Sequence, residues 1–264
     1  MQKIESLEGV AVTTVIAARP ETVFGILTTP EGLSTWLGGT ATFEATVGAP
    51  FQIVFQQFGT TVAGEVRELT ESERLALTWG VAEGPQSEVM PEGSTLVTFD
   101  LTPEDGGTRV TVTHEDLPDP EVGGHKHGWR FHMNRLGLTA NRAQLSAELP
   151  EVLSAYFQAW STDNTEERTR LFETACTEDV GFMDEYATFT GREMLALHAG
   201  STRQYFPGSR IEASEDPSIC RGEVLVPFTV SDPDGKTLFT GTNYARVAPD
   251  GRLAHVTGFW ASGT

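Results

Sequence analysis

The sequence predicts an α+β protein built from two domains. Its 264 residues exceed the ~100–150 residues of most single domains. Segments in which apolar and polar residues alternate, typical of strands, are interspersed with segments of helical periodicity. Pro150 stands where one helical segment can end and the next can begin. We therefore expect a first domain over residues 1–148 and a second over residues 149–264.

The first domain begins with a strand over "VAVTTVIAA" (10–18), after which two prolines each open a short helix. Six further strand-like segments follow between residues 40 and 115. The sequence "EDGG" (104–107) between the last two predicts a hairpin. A long helix is then expected from about His125 to Ala147.

The second domain has the opposite order, with helices before most of its strands. Helical periodicity predicts helices over residues 151–162 and 166–176 and a third near "REMLALHAG" (192–200). Four strand-like segments, "RIEAS", "GEVLVPFTVS", "TLFTGTNYARV" and "RLAHVTGFW", close the chain. This grouping predicts a sheet covered by helices.

Composition narrows the classes of partner. The chain has 18 basic and 37 acidic residues, a formal net charge of −19, which opposes binding to nucleic acid or to anionic membrane surfaces. No segment approaches the ~20 consecutive apolar residues of a membrane helix, so a cytoplasmic location is expected. The two cysteines, Cys176 and Cys220, lack metal-ligand spacing, and we expect both to be buried thiols.

The stretch "GGHKHGWRFHMNRL" (123–136) holds three of the six histidines. A metal site, an acid–base cluster and a histidine-rich structural helix are the three interpretations. On a helical wheel, His127 and His132 lie about 140° apart, so they cannot share one ion unaided. The structural helix is favoured and no metal is expected. The remaining alternative is that His132 or His114 hydrogen-bonds a ligand or a backbone group.

The first domain resembles a known family through "ARPETVFGILTTPEGLSTWLGG", "GEVRELTESERLALTWG", "GGTRVTVTHEDLP" and "GWRFHMNRL". These resemble the Hsp90-ATPase-activator-homology branch of the START/Bet v1-like (SRPBCC) superfamily. The resemblance implies a helix-grip fold, an antiparallel sheet around a long C-terminal helix with an apolar cavity, and no universal catalytic residue. The expected core or cavity residues are Trp36, Phe51, Phe55, Trp79, Phe99, Trp129 and Met133. Those chosen as ligand-binding candidates are Trp36, Trp79, Trp129 and Met133, together with His132.

The second domain resembles the NTF2-like/SnoaL superfamily through "LSAYFQAWSTDN", "EDVGFMDEY", "TGREML" and "TNYARVAPDGRLAHVTGFW". The resemblance implies a cone-shaped α+β fold with an apolar pocket. Its ketosteroid isomerases give the best residue-level comparison. Tyr156 stands where those enzymes place the tyrosine of their oxyanion hole, Asp184 where they place the general base, and Asn243 where they hold a protonated aspartic acid. One departure is that "FMDEY" lacks the Asp-Pro pair of those enzymes.

That trio has a definite chemistry. A carboxylate that removes a carbon-bound proton contributes typically ~10²–10⁴-fold to the rate, and the enolate oxygen needs preorganised hydrogen-bond donors. An asparagine amide is always a donor, so Asn243 needs no pKa shift to serve. The alternative is that Tyr156 and Asp184 only hydrogen-bond within the fold.

Strand alternation supplies the walls of the expected pocket. Asn243 shares one face of its strand with Phe239 and the small residue Gly241, and the small residue Gly258 lies between Val256 and Trp260 in the alternation of the last strand. Small residues beside Asn243 and Trp260 leave room for a cavity. The remaining expected ligand-binding residues are Val256, Trp260, Phe228, Val230, Phe239 and, at the rim, His198.

The sequence therefore predicts a protein that binds a small hydrophobic molecule (lipid, polyketide or aromatic), with isomerase- or cyclase-like general-base chemistry in the C-terminal cone. A ligand carrier without turnover is one alternative. A non-catalytic interaction protein of the Hsp90-activator-homology type is the other, although no motif supports a chaperone contact. No metal or redox cofactor is implied, and a homodimer is expected by analogy with NTF2-like cones.

Overall fold

The computed structural model describes residues 9–261 and divides into two compact units, Met1–Asn141 and Arg142–Thr264. Each unit has a sheet, helices and an apolar core of its own. The predicted α+β fold class with two domains is confirmed. Among the described residues, no helix is long and apolar enough to cross a membrane.

Unit 1 contains a seven-stranded antiparallel sheet in the order β1-β7-β6-β5-β4-β3-β2. The predicted hairpin is present, since Glu104 pairs with Gly107 at the turn between β6 and β7. Each strand segment predicted in this half forms a strand. Their bounds are β1 Val10–Ile16, β2 Thr40–Thr42, β3 Pro50–Phe55, β4 Thr60–Thr70, β5 Arg74–Glu83, β6 Thr95–Glu104 and β7 Gly107–Glu115.

Two short helices, α1 (Pro20–Leu27) and α2 (Pro30–Leu37), lie between β1 and β2. Both begin with proline, as predicted, because the first helical position needs no N–H donor. Thr29 caps α2 by accepting a hydrogen bond from the Gly32 amide. Gly38 ends it with φ +86°, a left-handed conformation that favours glycine.

Helix α3 (Asp119–Ser161) is longer than predicted, because the helix does not end at Pro150. Proline inside a helix removes one hydrogen bond and costs ~3 kcal/mol. Leu149, Val152 and Leu153 are buried on either side of it, so packing of the apolar residues outweighs the local penalty. The expected break was therefore wrong.

Unit 2 contains a mixed sheet in the order β10-β12-β13-β14-β8-β9, with β11 paired to β12. Among the strands described in unit 2, β8 and β14 form the one parallel pair. The four predicted closing strands are present as β10, β12, β13 and β14. The bounds are β8 Cys176–Met183, β9 Thr188–Thr190, β10 Arg210–Ala213, β11 Ser218–Cys220, β12 Glu223–Ser231, β13 Thr237–Val247 and β14 Leu253–Ala261.

Helices α4 (Thr165–Ala175) and α5 (Arg192–Tyr205) complete unit 2. Strands β8, β9 and β11 were not predicted from the sequence. The last two are only three residues long, and β8 carries the acidic pair Glu178 and Asp179 in its centre, which obscures the alternation. Cys176 is buried as expected, and burial raises the pKa of its thiol to about 12. Cys220 is exposed, contrary to the expectation.

Candidate functional site

The C-terminal unit has an open pocket of about 740 Å³ beside the end of β8, within the ~300–1,000 Å³ range of small-molecule sites. Aromatic and aliphatic side chains form much of its wall, together with the carboxyl groups of Asp184 and Glu185 and the imidazole of His198. Its lining residues are Asp184, Glu185, Tyr186, His198, Ser201, Thr202, Tyr205, Phe206, Leu238, Phe239 and Trp260.

Asp184 is held at this pocket by a local turn after β8. Its Oδ1 accepts hydrogen bonds from the backbone amides of Tyr186 (2.8 Å) and Ala187 (2.7 Å), and its own amide donates to the Ala187 carbonyl. Only 2% of its side chain is exposed. The turn therefore fixes the carboxylate at the pocket and leaves Oδ2 as the oxygen without a backbone partner.

His198, on α5, faces that second oxygen. Its Nε2 lies 3.3 Å from Asp184 Oδ2, and because a carboxylate only accepts hydrogen bonds, Nε2 carries the proton. The imidazole is enclosed by the rings of Trp160, Phe182 and Phe189, at centroid distances of 5.7, 5.3 and 5.4 Å. These rings fix the orientation from which the imidazole contacts the carboxylate.

A second, much smaller space lies deeper in unit 2. Its volume is about 20 Å³, enough for roughly one water molecule or one ligand oxygen. We call it the niche. It is lined by Tyr156, Phe157, Trp160, Phe182, Ile211, Phe228, Asn243, Gly258 and Trp260.

Four of the niche residues carry polar groups among apolar walls. The indole N–H of Trp260 is buried without a hydrogen-bond partner among the described residues, and the indole of Trp160 interacts with the Tyr156 hydroxyl and opposes the rise of its pKa. Asn243 is 8% exposed. Burial raises the pKa of the Tyr156 hydroxyl, so this group stays protonated at neutral pH and can donate. Unpaired donors around an oxygen-sized space form a site for an electron-rich atom.

Trp260 lines both the pocket and the niche. Its ring packs against Phe239 (4.9 Å between centroids) and Phe228 (5.6 Å). Gly258 lies between three of the site residues, Asn243, Trp260 and Asp184. A Cβ there would lie 3.4 Å from Asn243 Oδ1, 3.6 Å from Trp260 Nε1 and 3.7 Å from Asp184 Cβ.

The expected room beside Gly241 is filled. A Cβ on Gly241 would overlap the ring of Phe228, which occupies that space, so this glycine serves packing and the expectation of a cavity there was wrong. Val256 and Val230 are buried in the apolar core and do not line either space. Of the expected C-terminal residues, the niche contains Tyr156, Asn243, Phe228 and Trp260, and the pocket contains Asp184, His198, Phe239 and again Trp260.

Sequence reasoning missed several lining residues. Trp160 lies four positions after Tyr156 on α3, a spacing that places both on one helix face, so it could have been found. Tyr186 and Tyr205 line the pocket with about 80% of their surface exposed, 81% and 80% respectively. They lie in a turn and at a helix end, where periodicity gives no information about direction.

Unit 1 has a separate apolar groove of about 790 Å³ along α3. Of the expected ligand-binding residues, Trp79, Trp129 and His132 line it, whereas Trp36 and Met133 are buried in the core and do not. Phe58 and Phe131 stand at its rim, 70% and 54% exposed. The rest of the lining is Leu37, Gly38, Phe55, Gln57, Thr60, Val62, Val81, Pro85, Gln86, Met90, Glu121, Gly124, His125, Gly128 and Arg135.

The histidines near this groove have structural partners. The Trp129 indole donates to His114 Nδ1 (3.1 Å), so His114 Nε2 carries the proton and donates to Thr95 Oγ1 (2.8 Å). Burial, with a contribution from His125, lowers the pKa of His114 from 6.5 to about 3. His114 is therefore a neutral link that holds the Trp129 ring.

His132 donates weakly to the Trp36 carbonyl (3.5 Å). Burial lowers its pKa, the Trp36 hydrogen bond opposes that shift, and the positive charge of Arg135 adds to it. Within residues 9–261, no group of three His, Cys, Asp or Glu side chains could hold a metal ion.

A further cleft in unit 2, of about 940 Å³ between α4 and α5, is lined mainly by polar and charged side chains, and two of its arginines donate hydrogen bonds within the fold. Arg203 donates to Asp163 (2.8 Å) and to the Ser209 carbonyl (2.5 Å), and Arg168 donates to the Thr162 carbonyl (2.6 Å). These contacts join α4 and α5 to the segment between α3 and α4 and to Ser209, just before β10, so the two buried arginines serve the scaffold.

Residues 17–140 match the family described as Activator of Hsp90 ATPase homolog 1-like protein, which confirms the resemblance predicted for the N-terminal half. No curated protein matches the chain. Among solved structures, a SnoaL-like family protein from Agrobacterium tumefaciens strain C58 is 25% identical and covers 44% of this chain and 99% of its own, with a TM-score of 0.41.

Two other solved structures are similar. Protein MLL2253 from Mesorhizobium loti is 28% identical over 51% of this chain and 98% of its own, with a TM-score of 0.46. The Aha1 dimer from Colwellia psychrerythraea is 22% identical over 50% of this chain and 94% of its own, with a TM-score of 0.43. The family match covers slightly less than half of the 264 residues, and it is the N-terminal unit that the match describes.

Proposed function

We propose that unit 2 binds a small apolar molecule carrying a carbonyl group and uses Asp184 as a general base on a carbon next to that carbonyl. One observation carries the proposal. The nearly fully buried carboxylate of Asp184 lies at an apolar pocket. Because Gly258 has no side chain, Asp184 also lies beside the niche and its unpaired hydrogen-bond donors.

The reaction is a proton transfer within one substrate. Asp184 Oδ2 removes a proton from the carbon next to the carbonyl, and the C–H electron pair moves into the new carbon–carbon double bond of an enolate. The negative charge collects on the carbonyl oxygen, where Tyr156, Asn243 and Trp260 supply donors. In a β,γ-unsaturated ketone the enolate is conjugated with the second double bond, so the carboxylic acid returns the proton to the γ carbon and the double bonds shift into conjugation with the carbonyl, which is an isomerase-like outcome without a cofactor.

The sizes of the pocket and the niche indicate which part of the substrate each of them can hold. The pocket takes the body of the molecule, and the niche takes only its oxygen, because 20 Å³ excludes a ring or chain. Trp260 lines both spaces, so the carbonyl oxygen of the substrate must pass the Trp260 side chain to enter the niche from the pocket. In the pocket, Phe239 and Trp260 offer two aromatic rings whose planes are inclined at 51° to each other, and their faces favour an apolar body that contains a ring.

The test is turnover of β,γ-unsaturated ketones from one ring to several fused rings, followed by the ultraviolet absorbance of the conjugated product. Asp184→Asn should lower the rate at least 100-fold and Tyr156→Phe about 10-fold or more, with the fold intact. Asp179→Asn is the matched control, because Asp179 is exposed on β8 and does not line the pocket. Equal rates for the wild type and Asp184→Asn would overturn the general base.

A ligand carrier without turnover is the second candidate. It is favoured by the three contacts that Asp184 already makes within the protein, because a carboxylate with that many partners also stabilises the turn. Native mass spectrometry of the freshly purified full chain distinguishes the two. A retained molecule that is released unchanged, with no turnover of any ketone, supports the carrier.

For unit 1, we propose that Trp79, Trp129 and His132 line a separate site for an apolar molecule. The 790 Å³ groove and its buried tryptophans support this. The interaction-protein alternative, including a chaperone contact, has no comparable feature in its favour.

The homodimer also stays a proposal. On the outer face of the unit 2 sheet, Leu225 and Phe259 are 48% and 59% exposed, and we propose that this face pairs with a second copy. Phe259→Glu should convert a dimer to a monomer in light scattering coupled to size-exclusion chromatography. A wild-type monomer at high concentration would overturn the proposal.

A further inference from the structure

The unit 1 groove is bordered by two helical glycines that no packing contact requires. Gly124 and Gly128 lie one turn apart on α3 and both line the groove. A Cβ added to either would meet no atom within 4 Å. Glycine inside a helix costs ~0.5–1 kcal/mol relative to alanine. The consequence of these two glycines is open space along the groove.

A positively charged side chain, that of Arg135, lies on the same helix face two turns beyond Gly128. Arg135 lines the groove with its guanidinium 5.8 Å from the centre of the Phe131 ring. It donates one hydrogen bond, to the Thr35 carbonyl at 2.8 Å, out of five N–H groups. Over residues 9–261, no carboxylate forms an ion pair with it.

The charges in the groove are separated along the helix. Glu121 lines the opposite end, where its carboxylate lies 3.8 Å from His125. Between Gly124 and Arg135 the helix rises about 16 Å, and the floor there includes the buried side chains of Met90, Trp79 and Trp129. The groove thus has an apolar middle, an acidic end and a basic end.

We propose that this groove binds a single-chain aliphatic carboxylate. The hydrocarbon chain lies over Gly128 and Gly124, and the carboxylate is held by Arg135. This inference rests on the proposed function of unit 1 and adds the ligand class. A guanidinium binds a carboxylate through two parallel hydrogen bonds, and Arg135 retains the donors for that fork. In a chain of net charge −19, an arginine without an acidic partner in an apolar groove selects for an anionic head group.

Binding of dodecanoate and of dodecanol to the full-length protein, measured by calorimetry, tests the head group. Dodecanoate should bind at least 10-fold more tightly than the alcohol. Arg135→Gln should remove that difference, whereas Arg130→Gln should keep it, because Arg130 is exposed on the same helix and does not line the groove. Equal affinity for the acid and the alcohol in the wild type would overturn the carboxylate inference and leave an apolar site standing.

Filling the groove tests the location. Gly128→Leu should weaken binding of both probes at least 10-fold while the melting temperature stays the same or rises. Gly123→Leu is the control, since Gly123 is also helical, also has open space around its Cβ position, and does not line the groove. Unchanged binding in Gly128→Leu would overturn the proposed location. Failure of both probes to bind the wild type would overturn the ligand function of unit 1 itself.

Discussion

Asp184 Oδ2 and His198 Nε2 lie 3.3 Å apart in a pair that is 2% exposed on the carboxylate side and 22% on the imidazole side. The carboxylate is fixed by its turn after β8, and the imidazole by three aromatic rings. The two residues are 14 positions apart in the sequence, so the fold, and not the local sequence, brings the two groups together. The pair makes His198 a positioning residue for the proposed base.

The first prediction concerns that pair. His198→Gln keeps a donor near Asp184 Oδ2 and should lower kcat for the ketone substrate about 10-fold, with little change in KM. His198→Phe removes the donor and should lower kcat further, because the carboxylate loses its orientation. Steady-state kinetics on both variants measure this. If the two variants lose kcat equally, hydrogen bonding by His198 is not the cause.

The second prediction concerns the indole N–H of Trp260. Trp260→Phe keeps an aromatic wall and removes one niche donor, so kcat should fall ~10-fold or more while ligand binding changes little. The matched control is Trp36→Phe, which removes a buried indole N–H that likewise lacks a partner, but in unit 1. A loss of kcat of the same size in both variants would contradict a role for Trp260 in the niche.

The third prediction is a pH dependence of stability from His114. Its pKa is about 3 in the folded protein and 6.5 as a free side chain. Between these values the unfolded chain binds a proton that the folded chain does not. The contribution of neutral His114 to the free energy of unfolding is therefore complete above pH 6.5. It falls by up to about 1.4 kcal/mol per pH unit as the pH falls toward 3.

Urea unfolding of the wild type and of His114→Gln from pH 7 to pH 4 measures this dependence. The difference in unfolding free energy between them should shrink as the pH falls. His127→Gln, at an exposed histidine on α3, should show no such trend. Parallel curves for the wild type and His114→Gln would contradict the assignment of a neutral His114.

The fourth prediction is that Gly241→Ala destabilises the protein by about 1–3 kcal/mol. The new methyl group would overlap the Phe228 ring and the Phe259 carbonyl. Thermal unfolding measures the effect, with Gly123→Ala as the control that should be neutral or stabilising. An unchanged melting temperature would mean that the Phe228 ring moves away freely.

Much of the fold follows from local sequence pattern. Alternation located the strands of unit 1, and Asn243 does share its inner face with Phe239 and Ala245, as the period of two requires. Tyr156 and Asp184 were selected by resemblance, and each lines one of the two spaces in unit 2. The ligand roles of these residues stay predictions.

Other features depend on packing partners that local pattern cannot report. Pro150 predicted a helix end, but buried neighbours on both sides keep the backbone helical. The sequence predicted open space beside Gly241, but the ring of Phe228, on the neighbouring strand, fills that space. Arg135 carried no distinguishing sequence pattern, because the sequence does not show which cations lack an acidic partner.

Two α+β units, the strands of unit 1 and the four closing strands of unit 2 could be predicted from local sequence, because apolar periodicity records burial along each element. The placement of a pocket beside Asp184 and of a separate oxygen-sized niche, with Trp260 lining both, follows only from the packing of the folded chain. That arrangement depends on side chains from α3, β8, α5, β13 and β14, and residues so far apart in the chain have their distances set only when the sheet and helices pack.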